Sequence, residues 1–152
     1  MVSYRKAHLE DVDSLYEIID AYAKQGIMLP RSKATLSREI EQFVVAELEG
    51  EIAGCGSLCR LGKDLVEIRS LAVTEPFKGQ GIGSRLVERL TEEARSQHIP
   101  QIMALTYESK FFKKLGFHIV SKDIFPEKVW RDCIFCPKQN CCDEIAVMKR
   151  LD

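Results

Sequence analysis

Neither sign of charge prevails in this sequence, where 22 lysines and arginines face 23 aspartates and glutamates for a formal net charge of −1. That balance, with the signs well mixed, leaves no electrostatic footprint for nucleic acid or an anionic membrane, and neither is expected as a partner. Long apolar runs are missing too, none approaching the roughly 18 residues of a membrane span. The N-terminus lacks the apolar core of a signal peptide, since Met1 to Asp11 already reads as a strand running into a helix. A cytoplasmic location is the expectation, and the six cysteines are expected to stay reduced, as core residues or metal ligands. Repeats, linkers and low-complexity stretches are also lacking, so the 152 residues are expected to form one domain, 1-152, with a sizeable core.

The elements are legible from periodicity. Val2 to Ala7 alternates as a strand, and Val12, Leu15, Tyr16, Ile19, Tyr22 and Ala23 then recur at helical spacing as one apolar stripe. A loop over 26–31 precedes a second helix, Ser32 to Gln42, with Ser32 as its cap. Phe43 to Leu48 and Glu51 to Arg60 pair as a hairpin about Glu49-Gly50, and Leu65 to Thr74 is the next strand. A helix carrying Ile82, Leu86, Val87, Leu90 and Ala94 on one side is followed by a strand at Gln101 to Thr106. A short helix from Ser109 to Leu115 ends at Gly116, and strands at Phe117 to Ser121 and Asp143 to Lys149 complete the chain. This order suits an α+β fold, a mixed sheet with helices on both faces.

The densest chemical signal lies between the Leu65 strand and the helix after it, in Leu71-Ala72-Val73-Thr74-Glu75-Pro76-Phe77-Lys78-Gly79-Gln80-Gly81-Ile82-Gly83. Glycine at every second position strips side chains from a loop at a helix N-terminus, so that consecutive backbone N–H groups can close on an anion where the helix dipole is positive. A nucleotide-triphosphate P-loop is absent because no Gly-Lys-Ser/Thr follows. A dinucleotide fingerprint would need a third small residue at Leu86 or Ser84, and only the Ser84 frame comes close.

With Lys78, Gly81 and Gly83, this loop resembles the Arg/Gln-x-x-Gly-x-Gly/Ala signature of the GNAT acyltransferase superfamily, Lys78 standing for Arg or Gln. The resemblance implies a mostly antiparallel central sheet of six to seven strands and acetyl-CoA as cosubstrate. It places the pantetheine arm along Leu71, Ala72 and Val73, and the pyrophosphate on Lys78, Gly79, Gln80, Gly81, Ile82, Gly83 and Ser84. A second match lies at Phe111-Phe112-Lys113-Lys114-Leu115-Gly116-Phe117, similar to the family's Phe-Tyr-x-x-x-Gly-Phe. The Tyr of that pattern often protonates the departing thiolate, and Phe112 in its place has no proton to give. Read as residues alone, these phenylalanines are core.

Three further stretches, Leu29-Pro30-Arg31-Ser32, Glu67-Ile68-Arg69-Ser70-Leu71-Ala72-Val73 and Lys122 to Cys133, look like the acetyltransferase domain of the bacterial N-acetylglutamate synthases. That resemblance implies transfer of an acetyl group to the α-amine of L-glutamate, the first step of arginine synthesis, in a short form without the amino-acid-kinase domain that senses arginine. Glu67 interrupts an apolar run, Leu65-Val66-Glu67-Ile68, where an unpaired carboxylate is costly to bury. It is either the ion-pair partner of Arg69 or the base that an ammonium nucleophile needs, and by resemblance it takes the general-base position. The guanidinium of Arg31 can hold a carboxylate through two parallel hydrogen bonds. Arg31, Arg69 and Arg131 make the substrate-binding set, with Lys128 and Lys138 as further candidates for the second carboxylate. Thr106, at a strand end, is the candidate proton donor. The alternatives are an acetyltransferase for another amine, such as a different amino acid, a polyamine or a protein N-terminus, and a non-catalytic acyl-CoA-binding module. A homodimer is the assembly considered.

Cys133, Cys136, Cys141 and Cys142 place four thiols within ten residues. They admit three readings, namely free thiols in a local turn, one Zn²⁺, or a disulfide; the spacing lacks the second separated C-x2-C pair of common zinc sites and favours the first. Cys55 and Cys59 read as small core residues, and His8, His98 and His118 show no ligand spacing.

Overall fold

The computed structural model describes residues 1–121 and 144–151. Its strands are β1 (Ser3–Lys6), β2 (Phe43–Leu48), β3 (Glu51–Arg60), β4 (Leu65–Val73), β5 (Gln101–Thr106), β6 (His118–Val120) and β7 (Ile145–Arg150). The helices among the described residues are α1 (Val12–Lys24), α2 (Lys33–Arg38), α3 (Ile82–Ser96) and α4 (Ser109–Lys114). The strands form one seven-stranded sheet in the order β1-β2-β3-β4-β5-β7-β6. β1–β2, β2–β3, β5–β7 and β6–β7 are antiparallel, whereas β4 and β5 run parallel. A parallel pair needs a crossover, which α3 supplies. This is the mixed, mostly antiparallel fold that the sequence indicated.

By its internal contacts the chain divides into two compact units, Met1–Cys59 with Ile68–Glu93, and Arg60–Glu67 with Ala94–Asp152. In the first, α1 buries Val12, Leu15, Ile18 and Ile19 against Leu36, Ile40, Phe43, Val45, Cys55 and Ala72, with Tyr16 and Tyr22 packed at the margin. The β2–β3 turn is short because Glu49 (φ 52°) and Gly50 (φ 81°) both adopt the left-handed conformation that suits a two-residue hairpin loop. On β3, Gly54 and Gly56 lie under α3: a Cβ on Gly54 would come to 2.9 Å from the Ala72 carbonyl oxygen, and one on Gly56 to 2.9 Å from Leu90 Cδ1. The side-chain-free strand lets Leu86 and Leu90 approach closely.

In the second unit, Leu65 to Glu67 of β4 are in register with Gln101 to Met103 of β5, and Ile102, Met103, Ala146 and Val147 are buried. Phe112 is buried edge-on to Phe111 and Phe117, at ring separations of 5.1 Å in each case, so it is core as its residues alone suggest. Gly116 (φ 94°) ends α4, and Lys149 Nζ from β7 caps the freed Leu115 carbonyl at 2.9 Å.

The helix expected over Ser32 to Gln42 is interrupted. Ser32 does cap α2, its Oγ accepting the Thr35 N–H at 3.1 Å. Glu39 then leaves helical geometry (φ −104°, ψ 13°) and a tighter turn, Ile40–Gln42, follows. That turn buries Ile40 ahead of Phe43, which a continuing α-helix would rotate away. The last strands are also displaced slightly, to His118–Val120 and Ile145–Arg150.

Candidate active site

In the first unit, β4 runs into the glycine loop. Thr74 N–H bonds the Ala53 carbonyl at 2.9 Å, and Glu75-Pro76-Phe77 makes one tight turn closed by Phe77 N–H on the Thr74 carbonyl, also at 2.9 Å. Gly79 (φ 82°) and Gly81 (φ 79°) are both left-handed, and the Gly81 carbonyl accepts the Arg85 N–H at 3.2 Å as α3 begins. N–H groups of the first helical turn have no acceptor within the helix, so Ile82, Gly83 and Ser84 offer them outward. Left-handed residues just ahead of a helix make the concave nest of N–H groups that binds oxyanions. A Cβ at Gly79 or Gly81 would meet nothing within 4 Å. Glycine is therefore demanded by the backbone angle, not by crowding, and the open exposed loop fits a diphosphate.

Lys78 stands beside this nest. Its Nζ pairs with Glu75 at 3.0 Å and lies 5.1 Å from the centre of the Tyr22 ring. The hydrogen bond to Glu75 is the main reason its ammonium titrates above the ordinary lysine range. The Tyr22 hydroxyl in turn donates to the Val73 carbonyl at 2.8 Å and accepts the Val73 N–H at 3.2 Å. Tyr22 was expected only as part of an apolar stripe; the hint in the sequence is a hydroxyl at the C-terminal end of that stripe.

β4 itself is irregular. Ser70 is left-handed (φ 53°) and buried within the strand. Two β3 side chains hold the main chain there, Ser57 Oγ donating to the Arg69 carbonyl at 3.1 Å and Cys55 Sγ to the Ser70 carbonyl at 3.3 Å. Cys55 is wholly enclosed, and burial pushes its thiol up to about 12. Of the predicted substrate residues in this unit, Arg69 has a buried Nη2. Arg31 is half-buried immediately before the Ser32 cap.

Glu67 and Thr106 belong to the second unit. Glu67 is 2% exposed, a carboxylate among buried Leu65, Val66 and Ile68 as the sequence indicated. Thr106 is buried at the end of β5, where its Oγ1 accepts the Glu108 N–H at 2.7 Å. Arg131, Lys128, Lys138 and the cysteine cluster Cys133, Cys136, Cys141 and Cys142 lie outside the described residues. Among the described residues no group of three or more His, Cys, Asp or Glu side chains could hold a metal. Nor is any of their helices long and apolar enough to cross a membrane.

A strand, a left-handed glycine turn and a helix N-terminus together make a seat suited to an anion. Residues 9–117 match the acetyltransferase (GNAT) family model, and the chain belongs to that family. It is 42% identical over 147 residues to an uncharacterised N-acetyltransferase of Chlorobaculum tepidum, covering 97% of this chain and 95% of that one. An amino-acid acetyltransferase of Mycobacterium tuberculosis is 39% identical over 116 residues, 74% of this chain and 66% of its own length. Among solved structures, the N-acetylglutamate synthase of Neisseria gonorrhoeae, complexed with coenzyme A and N-acetyl-glutamate, superposes with a TM-score of 0.90 at 30% identity. All of this chain is covered, but only 35% of the synthase. The protein is thus an acetyltransferase of GNAT type.

Proposed function

We propose that the chain moves an acetyl group from acetyl-CoA to the α-amine of L-glutamate, the entry reaction of arginine synthesis. The observation that carries this reading is the likeness, over the whole of this chain, to a synthase holding coenzyme A and N-acetyl-glutamate. Acetyl-CoA supplies an activated acyl thioester. The N–H groups from Gly79 to Ser84 bind its diphosphate, with Lys78 adding positive charge, and Leu71 to Val73 align its pantetheine arm. Arg31 clamps a glutamate carboxylate through its planar fork, with Arg69 and Arg131 as the further cationic set. Glu67 removes the proton that the α-ammonium must lose before it can attack. Thr106 returns a proton to the departing sulfur, a task for which Phe112 has no group.

The test is thiol release from acetyl-CoA with a panel of amines comprising L-glutamate, L-glutamine, L-aspartate, a polyamine and a peptide N-terminus. Glutamate is expected to be turned over with the highest kcat/KM. Preference for an amine lacking the side-chain carboxylate would replace this reading with an acetyltransferase for that amine. Binding of acetyl-CoA without turnover of any amine would leave an acyl-CoA-binding module.

A further inference from the structure

Tyr22 ties α1 to the end of β4 by an unusual arrangement. One hydroxyl serves both main-chain groups of one residue, donating to Val73 O at 2.8 Å and accepting from Val73 N at 3.2 Å. Successive main-chain groups of a strand alternate in direction, and the Thr74 N–H is directed to Ala53 on β3. The Val73 pair therefore faces the opposite edge of β4, away from β3. A donor and an acceptor side by side on a strand edge are met by two successive secondary amides, the C=O of one and the N–H of the next, because the two groups of a single trans amide point in opposite directions. The pantetheine arm of coenzyme A is built from such amides.

We propose that Tyr22 is a positioning residue whose hydroxyl competes with the pantetheine amides of acyl-CoA for the N–H and C=O of Val73, and yields that edge when the cosubstrate is seated. This rests on the acyl-CoA reading given above. A second observation ties the exchange to the diphosphate seat. The Tyr22 ring lies under Lys78 Nζ, at 5.1 Å, and Lys78 borders the glycine loop. Diphosphate in the loop attracts Lys78 away from the ring, so the nucleotide end of the ligand loosens the residue that occupies the pantetheine end. Tyr22 then sets a threshold, admitting ligands that bring both diphosphate and amide over those that bring one.

The ring of Tyr22 packs against the α1 core, so Tyr22→Phe keeps the packing and deletes only the competing oxygen. Calorimetry should show coenzyme A binding about 3- to 10-fold more tightly to Tyr22→Phe than to wild type, the range expected when a competing hydrogen bond is removed. Affinity for 3′-phosphoadenosine 5′-diphosphate, the nucleotide part without pantetheine, should not change. Equal or weaker coenzyme A binding by a folded Tyr22→Phe protein would overturn the proposal, as would the same gain for both ligands. Full-length protein carrying 3-fluorotyrosine at position 22 provides an independent reading. Its fluorine resonance should shift a little with the nucleotide part, as Lys78 leaves the ring, and move to a further, distinct position with coenzyme A; a resonance that coenzyme A moves no further than the nucleotide part does rejects the exchange. Wild type that fails to bind coenzyme A at all would remove the acyl-CoA reading, and this inference with it.

Discussion

At the scale of single residues, the catalytic argument turns on whether Glu67 is a base or only a buried charge. Glu67→Gln preserves shape and most hydrogen bonding but removes basicity. Turnover near neutral pH should therefore fall by roughly 10² to 10⁴ while coenzyme A binding persists, as read by steady-state kinetics beside calorimetry. Retention of most of the turnover would make Glu67 a structural partner of its strand neighbours. Arg31 is tested by the subtlest change available. Arg31→Lys keeps the charge and loses the planar fork, so KM for glutamate should rise by a factor on the order of 10 to 100 if one bidentate contact is lost. KM for acetyl-CoA should stay near its wild-type value. An unaltered glutamate KM would place Arg31 outside the substrate site. Both residues stand out in the sequence as candidates because their chemistry jars with their surroundings, a carboxylate in an apolar strand and an arginine between a proline and a helix cap. Tyr22 was not readable in this way, because an aromatic at helical spacing is satisfied by core packing and its tie reaches 51 positions along the chain.

At the scale of elements, β3 and β4 decide how closely α3 sits on the sheet. Gly54→Ala would set a methyl against a backbone carbonyl that cannot step aside, whereas Gly56→Ala meets the methyl ends of Leu90 and Leu71, which can rotate. Gly54→Ala should accordingly cost on the order of 1–3 kcal/mol in urea unfolding, and Gly56→Ala distinctly less. The reverse order would mean that β4 gives way more easily than the leucines. Regular elements with one buried face were legible in advance. α3 shows all five of its expected apolar residues buried, and β5 runs from Gln101 to Thr106 as its pattern indicates. Departures from regularity were not. The left-handed Ser70 is held by hydroxyl and thiol donors on β3, and the break at Glu39 by the need to bury Ile40; neither cause leaves a local mark in periodicity.

For the molecule as a whole, acid sensitivity follows from one network. Asp11 is buried and accepts two hydrogen bonds from Arg5, at 2.9 and 3.1 Å, and the His8 N–H at 2.7 Å, while Arg5 also reaches Glu47 at 3.3 Å. Arg5 above all holds the Asp11 carboxyl below the usual carboxylate range. Because the native value is the lower one, this stabilisation is fully present above the unfolded value, near pH 4, and is lost as pH falls through the native value. Wild type should lose stability steeply below about pH 4. Asp11→Asn should be less stable by about 1–3 kcal/mol at pH 7 and show a shallower acid decline in urea titrations. A parallel decline in both proteins would assign the acid limb to other carboxylates. The bare stretch at Gly54 and Gly56 also has a meaning for how such a molecule diverges. One added methyl at Gly54 presses first on the Ala72 carbonyl of β4, the strand that runs into the glycine loop, so the seat is disturbed although the loop itself is unchanged. Drift at Gly54, one strand behind the residues that would meet the cosubstrate, is thus a route by which a lineage retunes its hold on that cosubstrate while every contacting residue stays the same.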